Sequence, residues 1–445
     1  MSRDQKQDVS LLQDREQLLD YFRAGIKSAD RLTIGTEHEK FLWHRANGRL
    51  FNFDEIEGLL HKLGDRFGYE KAWDGDRLVA LERNDEAITL EPSGQFELSG
   101  GLKKTIFETE VELERHFEEL NAVGGPEMGM ALLGINPYDD ISDLGWVPKS
   151  RYKIMREYLP TRGDLAHWMM KLTCTIQANM DFTSEEDASD LVRTGYVVSP
   201  FVHALFANSS VHHGKPSGYQ SYRGHIWTRT DPDRSGVPDF VLRDDWGFGE
   251  YLDYVLDVPM FFIRRDHGYV NLAGRSFREF MEKGLDGYQA TMGDFELHLS
   301  TAFPEVRMKR YVEVRSGDGG PLSHMLALPA FWKGVLYDAE ARRESWERLS
   351  WLDHGNLLSL NLEASKNGIH GVAPNGESIM DICRDLVRIS SEGLARLAKR
   401  DGHDSEAIFL QPLQTILETR KSAADCVAED VERLSRIELL SKYSL

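Results

Sequence analysis

Apolar residues recur at helical spacing in several segments of the chain. Leu18, Leu19, Phe22 and Ile26 form one stripe within residues 15–26, and residues 104–120 have a similar amphipathic pattern. Residues 54–63 open with acidic side chains, which favour the first turn of a helix. The pattern therefore predicts helices at 15–26, 54–63, 104–120, 184–193, 200–207, 329–336 and 379–397.

Between these helices lie short segments typical of strands, at 32–43, 87–91, 95–98, 173–182, 224–228 and 310–315. They alternate with helices and long loops, without the even rhythm of βαβ units. This arrangement favours an α+β fold with a mostly antiparallel sheet. No linker or repeat divides the chain, so residues 1–445 are predicted to form a single domain, with a mainly helical C-terminal part from about residue 338.

The predicted strands carry unusual polar faces. Side chains two residues apart in a strand lie on the same side, roughly 6.5 Å apart. Each of these strands therefore places its polar residues together and its apolar residues on the other face. The polar sets are Glu37 with Glu39, Glu91 with Glu97 across a Pro/Gly turn, Thr175 with Gln177 and Asn179, and Glu313 with Arg315.

Two interpretations of these faces are open. For any one strand, a sheet with one side in water is the commoner explanation, because antiparallel sheets often face solvent. However, a solvated face usually mixes Lys, Thr, Ser and Glu, whereas these faces are rich in carboxylates and amides. Crowded like charges repel each other, and a bound divalent ion would relieve this repulsion. Mg²⁺ prefers hard oxygen ligands of this kind. The combined pattern indicates an acidic metal site.

The charge balance excludes some classes of partner. Asp and Glu number 73 against 53 Lys and Arg, a formal net charge of −20, whereas nucleic acids and anionic membranes select basic surfaces. No segment approaches the roughly 18 uninterrupted apolar residues of a membrane span, and the charged N-terminal segment has no apolar core of a signal peptide. Three cysteines without CxxC spacing suit a reducing compartment. We therefore expect a soluble, cytoplasmic protein without nucleic-acid or membrane partners.

Other common catalytic motifs are missing or weak. The sequence has no GxxxxGK[ST] loop and no GxGxxG motif between a strand and a helix. The glycine-rich segment 317–320 is predicted to be only a turn after the last strand. His38 alternates away from Glu37 and Glu39, and Cys174 falls on an apolar face, so both are expected to pack in the interior.

Several longer segments resemble one known family. They are 34–41 (IGTEHEKF), 91–100 (EPSGQFELSG), 173–179 (TCTIQAN), 223–228 (RGHIWT), and 303–307 (FPEVR) followed by 313–315 (EVR). In this order they are similar to the plant-type glutamate–cysteine ligases, which plants and many proteobacteria share. The likeness is dense from about residue 30 to residue 338. It implies a glutamine-synthetase-like fold, a curved and mostly antiparallel sheet that forms a funnel-shaped active site with helices outside.

The resemblance also implies a reaction and residue roles. The γ-carboxylate of L-glutamate would be activated by ATP and joined to the amine of L-cysteine, the first step of glutathione biosynthesis. Arg315 would face the transferred phosphoryl group, and Arg223 with Trp227 would bind the glutamate α-carboxylate. The resemblance further implies that Gln177 and Asn179 line the cavity and that Mg²⁺ is bound by Glu37 and Glu39, with Glu91, Glu97 and Glu313 as further ligands.

Two alternatives remain beside this hypothesis. A related ATP-dependent carboxylate–amine ligase would share the acidic framework and use another amine, and no short motif identifies a cysteine pocket. A catalytically inactive binding protein would instead be expected to have lost the acidic residues, which are all present. For the leading hypothesis we expect a monomer or a weak homodimer.

Overall fold

The computed structural model describes residues 8–265 and 268–445. Residues 1–7 belong to the N-terminal segment in which no signal peptide is predicted, and they lie outside the described residues, as do residues 266–267. No helix in the described ranges is both long and apolar enough to cross a membrane.

A large antiparallel sheet organises the described part of the chain. It contains nine strands in the order β14-β15-β7-β1-β5-β4-β3-β2, with β6 also paired to β1. Short two-stranded pairs account for the remaining strands. The strands are β1 (Ile34–His44), β2 (Glu70–Asp74), β3 (Arg77–Arg83), β4 (Glu86–Leu90), β5 (Phe96–Ser99), β6 (Met128–Ala131), β7 (Thr175–Met180), β8 (Val211–His212), β9 (Lys215–Pro216), β10 (Ser235–Gly236), β11 (Phe262–Arg265), β12 (Gly268–Asn271), β13 (Phe303–Pro304), β14 (Val306–Met308) and β15 (Val312–Asp318).

Helices cover the sheet and continue to the end of the chain. They are α1 (Arg15–Arg23), α2 (Phe53–Phe67), α3 (Ile106–Gly124), α4 (Ser150–Tyr158), α5 (Ala166–Leu172), α6 (Glu185–Leu205), α7 (Tyr222–Trp227), α8 (Phe248–Asp257), α9 (Phe277–Lys283), α10 (Met292–Leu299), α11 (Leu322–Leu336), α12 (Ala339–Arg348), α13 (His354–Asn367), α14 (Ile379–Asp401), α15 (Gln411–Thr419), α16 (Ala423–Val431) and α17 (Arg436–Lys442). After Tyr337 the described elements are thus helical. The organisation of the chain as a single domain stays a prediction.

Helices cover the apolar face of the central strands. Ile176, Ala178 and Met180 of β7 are buried in the main core, and α11 and α6 pack against this part of the sheet. His38 lies on the side of β1 that faces α3, where its ring packs against His116 and Phe117. Cys174 is buried in a small apolar cluster. The predicted interior positions of His38 and Cys174 are therefore confirmed.

One predicted strand is wrong. Residues 224–228, with their aromatic and β-branched residues, are predicted to be extended, but they belong to helix α7 and its C-terminal cap. Ser221 begins this helix: its Oγ accepts a hydrogen bond from the N–H of Gly224 at 3.0 Å. An N-cap serine satisfies backbone donors that a strand would pair elsewhere, and this cap outweighs the weak strand propensity.

Helix α6 corrects a second prediction. Residues 184–193 and 200–207 are predicted as separate helices, yet α6 runs through Pro200 without interruption. A proline removes one helical hydrogen bond and disfavours the helical conformation of the residue before it. Here residues 194–205 are all buried, so packing on both sides holds the helix together across the proline.

Helices α11 and α14 approach each other closely at two glycines. A Cβ added to Gly393 would lie 2.2 Å from the carbonyl oxygen of Gly334, and one added to Gly334 would lie 2.3 Å from the carbonyl oxygen of Ser390. Both neighbouring atoms belong to the backbone and cannot rotate away. The contact between the two helices therefore requires glycine at both positions.

We predict that Gly393→Ala destabilises the protein by about 1–3 kcal/mol, because the added methyl group forces α11 and α14 apart. Thermal unfolding followed by circular dichroism should show a lower midpoint. Gly58→Ala is the matched control, since Gly58 also lies in a helix but has no atom within 4 Å of an added Cβ. That variant should be unchanged or stabilised by about 1 kcal/mol, because alanine favours helices. Equal midpoints for the two variants would contradict the proposed close contact.

Candidate active site

A cavity lies on the polar face of the main sheet. Its floor is formed by residues of β1, β5 and β7, and its walls come from helices α4, α5, α7 and α10 with parts of β11 and β13–β15. The polar residues that line it include Glu39, Glu91, Gln95, Glu97, Arg151, Thr175, Gln177, Arg223, Trp227, Arg307 and Arg315. Most of the side chains singled out in the sequence therefore meet around one cavity.

Three carboxylates form a compact cluster in this cavity. Glu39 and Glu97 lie directly opposite each other on β1 and β5, and Glu91 follows β4. One carboxylate oxygen from each of the three lies within 4.8 Å of those of the other two. Gly94 adopts a positive φ of 91° in the turn between Glu91 and Gln95, a conformation that glycine adopts easily. This turn brings Glu91 back towards β5.

The cluster is electrostatically strained because its members are buried together. Burial, followed by repulsion from Glu91 and Glu97, raises the pKa of Glu39 well above its ordinary value. Burial and then the neighbouring Glu97 raise the pKa of Glu91 to about 7. Glu97 is held by hydrogen bonds from Thr89 Oγ1 at 2.6 Å and Ser99 Oγ at 2.8 Å, which favour its charged form. Such a group of oxygens gains stability from a cation or from protons.

Glu313 lies in a different environment from these three carboxylates. Its carboxylate pairs with Arg307 at 2.6 Å, Arg315 at 2.8 Å and Lys309 at 3.6 Å. Burial alone would raise the pKa of Glu313, but these three cations together hold it well below its ordinary value. The protein itself therefore neutralises Glu313, which separates it from the cluster with which it was grouped in the sequence.

The amides predicted to line the cavity lie on β7, between Glu37 on β1 and Glu313 on β15. Arg315 Nη1 donates a hydrogen bond to Gln177 Oε1 at 2.7 Å, and Asn179 Nδ2 donates to Glu37 Oε1 at 3.1 Å. Gln177 lies opposite Glu37 in the β1–β7 pairing. Gln177 lines the cavity, whereas Glu37 and Asn179 are not among its lining residues. A metal-binding role for Glu37 stays a prediction.

Helix α7 supplies the predicted substrate-binding pair. Arg223 and Trp227 lie one helical turn apart on α7, which puts them side by side. The guanidinium carbons of Arg223 and Arg315 each lie 5.9 Å from the Trp227 ring centroid. Arg223 Nη2 also donates to the carbonyl oxygen of Arg315 at 3.1 Å. The indole therefore lies close to both arginines at the wall of the cavity.

Two further arginines, Arg307 and Arg151, line the cavity and were not predicted to have a role. Arg307 lies opposite Glu313 in the β14–β15 pair and donates to the carbonyl oxygens of Ser300 and Ala302, both at 2.8 Å. In the sequence, the position of Arg307 between the apolar residues Val306 and Met308 could have indicated it as a candidate site residue. Arg151 comes from helix α4, which was not predicted, and no local pattern distinguishes it from a surface arginine.

Comparison with known proteins decides the family. The family model of glutamate–cysteine ligase family 2 (GCS2) matches residues 33–435. The chain belongs to this family. The glutamate–cysteine ligase match thus extends well beyond the segments that carried the resemblance and includes most of the helical C-terminal part.

Plant glutamate–cysteine ligases are similar over nearly the whole chain. The chloroplastic enzyme of Solanum lycopersicum is 40% identical over 421 residues, which cover 93% of this chain and 79% of that protein. The chloroplastic enzyme of Medicago truncatula is 44% identical over 420 residues, with 93% and 81% covered. The predicted family and the predicted enzyme class, an ATP-dependent glutamate–cysteine ligase, are confirmed.

Solved structures support the fold. The glutamate–cysteine ligase of Francisella tularensis, solved in complex with AMP, superposes with a TM-score of 0.59 at 13% identity, over 93% of this chain and 87% of that chain. A bifunctional glutathione synthetase from Pasteurella multocida gives a TM-score of 0.52 at 12% identity, over 96% of this chain and 54% of that one. The predicted α+β fold with a mostly antiparallel sheet is confirmed.

The comparison with the plant enzymes contradicts the predicted cytoplasmic location. The similar glutamate–cysteine ligases of Solanum lycopersicum, Nicotiana tabacum, Oryza sativa and Arabidopsis thaliana are all named as chloroplastic proteins. The prediction rested on charge, hydropathy and cysteine spacing, and these properties do not distinguish one aqueous, reducing compartment from another.

Proposed function

We propose that this ligase joins the γ-carboxylate of L-glutamate to the amine of L-cysteine through γ-glutamyl phosphate, with ATP as the phosphoryl donor. The observation that carries the proposal is the meeting of a carboxylate cluster and several arginines in one cavity. Glu39, Glu91 and Glu97 lie together, and Arg223, Arg307 and Arg315 line the same cavity. This arrangement suits a reaction in which phosphate groups and a carboxylate must be held close together.

The carboxylate cluster fits a bound Mg²⁺ ion. Glu39, Glu91 and Glu97 supply hard oxygen ligands, and Glu91 Oε1 is buried without a hydrogen-bond partner among the described residues. These three residues would hold the ion, which when bound would offset negative charge on the ATP phosphates. Glu37 and Glu313 are less suitable, since Glu37 is absent from the cavity lining and Glu313 already has three cationic partners.

The arginines divide the remaining tasks. Arg315 is fixed by Gln177 and Glu313, so its guanidinium is oriented before substrate binds and can stabilise charge on the transferred phosphoryl group. Arg223 is 3% exposed and lies beside Trp227, where its planar guanidinium suits the α-carboxylate of glutamate. No protein nucleophile is required, because the cysteine amine attacks the acyl phosphate directly and phosphate leaves.

The proposal is tested by measuring phosphate release from purified protein with ATP, Mg²⁺ and L-glutamate, with and without L-cysteine, while the product mass is recorded. We expect release that depends on cysteine and a product with the mass of γ-glutamylcysteine. Release stimulated only by another amine would replace the acceptor, and no release with any amine would indicate a binding protein. Analytical ultracentrifugation of the same sample tests the expected monomer or weak homodimer.

The strain in the carboxylate cluster leads to a pH-dependent prediction for the metal-free protein. An acid whose pKa is raised by folding destabilises the folded state increasingly as the pH rises through that pKa. Glu91→Gln removes this cost, so its thermal midpoint should exceed that of wild type at pH 8 and by less at pH 6, below the Glu91 pKa of about 7.

The measurement is thermal unfolding in EDTA at both pH values, repeated with Mg²⁺ at pH 8. Mg²⁺ should raise the wild-type midpoint and have a smaller effect on Glu91→Gln, which lacks one of the proposed ligands. Glu57→Gln is a suitable control, because Glu57 is paired with Arg77 outside the cavity. A Glu91→Gln midpoint below that of wild type at pH 8 would contradict the proposed repulsion.

A further inference from the structure

Asp318 lies on the cavity side of the sheet because of an irregularity in β15. In the pairing of β15 with β7, Glu313 is opposite Asn179 and Asp318 is opposite Thr175. Simple alternation would put residues 313 and 318 on different faces. The register shifts between Val314 and Gly317, and this bulge returns Asp318 to the face that carries Glu313. The segment predicted to be only a glycine-rich turn thus presents a carboxylate.

The Asp318 carboxylate is 1% exposed and accepts three hydrogen bonds. Oδ2 accepts from the backbone N–H of Asn208 at 2.9 Å and from Ser209 Oγ at 2.6 Å. Oδ1 accepts from Ser221 Oγ at 2.8 Å. An ionised carboxylate can only accept hydrogen bonds, so both serine hydroxyls must donate their protons to Asp318.

The same two hydroxyls hold the first turn of helix α7. Ser209 Oγ accepts from the backbone N–H of Arg223, and Ser221 Oγ accepts from that of Gly224, both at 3.0 Å. Because Asp318 takes the hydroxyl protons, the oxygen lone pairs are left for these N–H groups. Asp318 therefore fixes the direction of both serine hydrogen bonds. Through these bonds it also fixes the position of the first turn of α7, which carries Arg223.

We propose that Asp318 is a positioning residue for glutamate binding, which it supports by holding the backbone of Arg223 through Ser209 and Ser221. The inference rests on the proposed function, in which Arg223 binds the glutamate α-carboxylate. Arg223 also donates to the carbonyl oxygen of Arg315, which lies on the same strand as Asp318. Strand β15 thereby sets the relative positions of the phosphoryl-facing and carboxylate-facing arginines.

The test variant is Asp318→Asn, which keeps the side-chain shape but replaces one accepting oxygen with a donating amide. The amide nitrogen takes the place either of the oxygen that faces Ser221 or of the oxygen that faces Ser209 and the N–H of Asn208. The serine hydroxyl opposite it then faces a donor in place of an acceptor, so the turn is no longer held by both serines. We expect the KM for L-glutamate to rise by about tenfold, since small displacements of a binding group are costly. The KM for ATP should change by less than about twofold, and kcat at saturating glutamate should stay near that of wild type.

Asp181→Asn is the matched control. Asp181 is also buried, and its Oδ2 accepts from the N–H and hydroxyl of Thr33 at 2.8 and 2.6 Å, away from α7. This variant should lower the thermal midpoint without changing the KM for glutamate. If Asp318→Asn does not fold, Ser209→Ala removes one of the two links and should raise the same KM by a smaller factor.

The outcomes separate this inference from the proposed function. Wild-type protein that fails to make γ-glutamylcysteine refutes the function itself. If the wild-type protein is active, two results would refute the positioning role alone. One is an unchanged KM for glutamate in Asp318→Asn, and the other is an equal rise of that KM in Asp181→Asn. The role also fails if Asp318→Asn is inactive at every glutamate concentration while glutamate binding, measured by calorimetry, is unchanged. If Asp318→Asn does not fold, an unchanged KM for glutamate in Ser209→Ala would refute the positioning role.

Discussion

The Glu39→Gln variant is expected to lose at least about 10²–10³-fold in kcat, a typical cost of removing one group that stabilises transition-state charge. Glu39 belongs to the carboxylate cluster and also accepts a hydrogen bond from the N–H of Thr175 at 3.0 Å. Glutamine preserves that hydrogen bond and the side-chain volume. What it removes is one negative charge from the proposed Mg²⁺ site.

Folding of this variant should be normal or improved, since the burial and repulsion that raise the pKa of Glu39 are relieved in the neutral side chain. The measurement is steady-state phosphate release over a range of Mg²⁺ concentrations, together with a thermal midpoint. Glu112→Gln is the control, because Glu112 is buried on helix α3 and paired with Lys103 at 2.8 Å, outside the cavity. Near-wild-type turnover by Glu39→Gln would remove Glu39 from the proposed metal site.

The second large effect is expected for Arg315→Ala, with a fall of about 10³-fold in kcat, in the range seen when an arginine that stabilises phosphoryl transfer is lost. Glu313 would still have Arg307 and Lys309 as partners, so a buried carboxylate is not left without compensating charge. We therefore expect the variant to fold. Glutamate binding, measured by calorimetry, should weaken less than kcat falls, since Arg223 remains.

Arg310→Ala serves as the comparison for Arg315→Ala. Arg310 lies just before β15, and its half-exposed side chain pairs with Glu296 at 3.0 Å on the surface. Exposed ion pairs contribute little, so activity and stability should stay close to those of wild type. If Arg315→Ala raises the KM for ATP while kcat is kept, then Arg315 binds the nucleotide in its ground state and does not act in phosphoryl transfer.

Period-two alternation made the polar face predictable. Whether a side chain points up or down along a strand depends only on its immediate neighbours, and β1 and β7 keep this alternation through the site. For the same reason His38 and Cys174 were correctly placed in the interior. The helices α1, α2, α3 and α14 were also found, since their amphipathic stripes extend over several turns.

In helix α7 the local sequence pattern predicted the wrong element, a strand at 224–228. The strand propensity of Ile226, Trp227 and Thr228 is a weak local preference, and the cap at Ser221 together with Asp318, nearly a hundred residues away in the chain, outweighs it. The bulge in β15 is a similar case. No pattern in residues 314–317 predicts the extra residue of the bulge, because a bulge is defined only by the pairing of β15 with β7.

The sequence by itself therefore determined the family, the fold class and the residue types available for the reaction, because motifs and periodicity are properties of neighbouring residues. Only the tertiary structure decided how the charges are grouped: Glu39, Glu91 and Glu97 meet in one cluster, whereas Glu313 is neutralised by Arg307, Arg315 and Lys309. Coulomb interactions depend on distances in space between strands that are far apart in the chain, and strand register sets these distances.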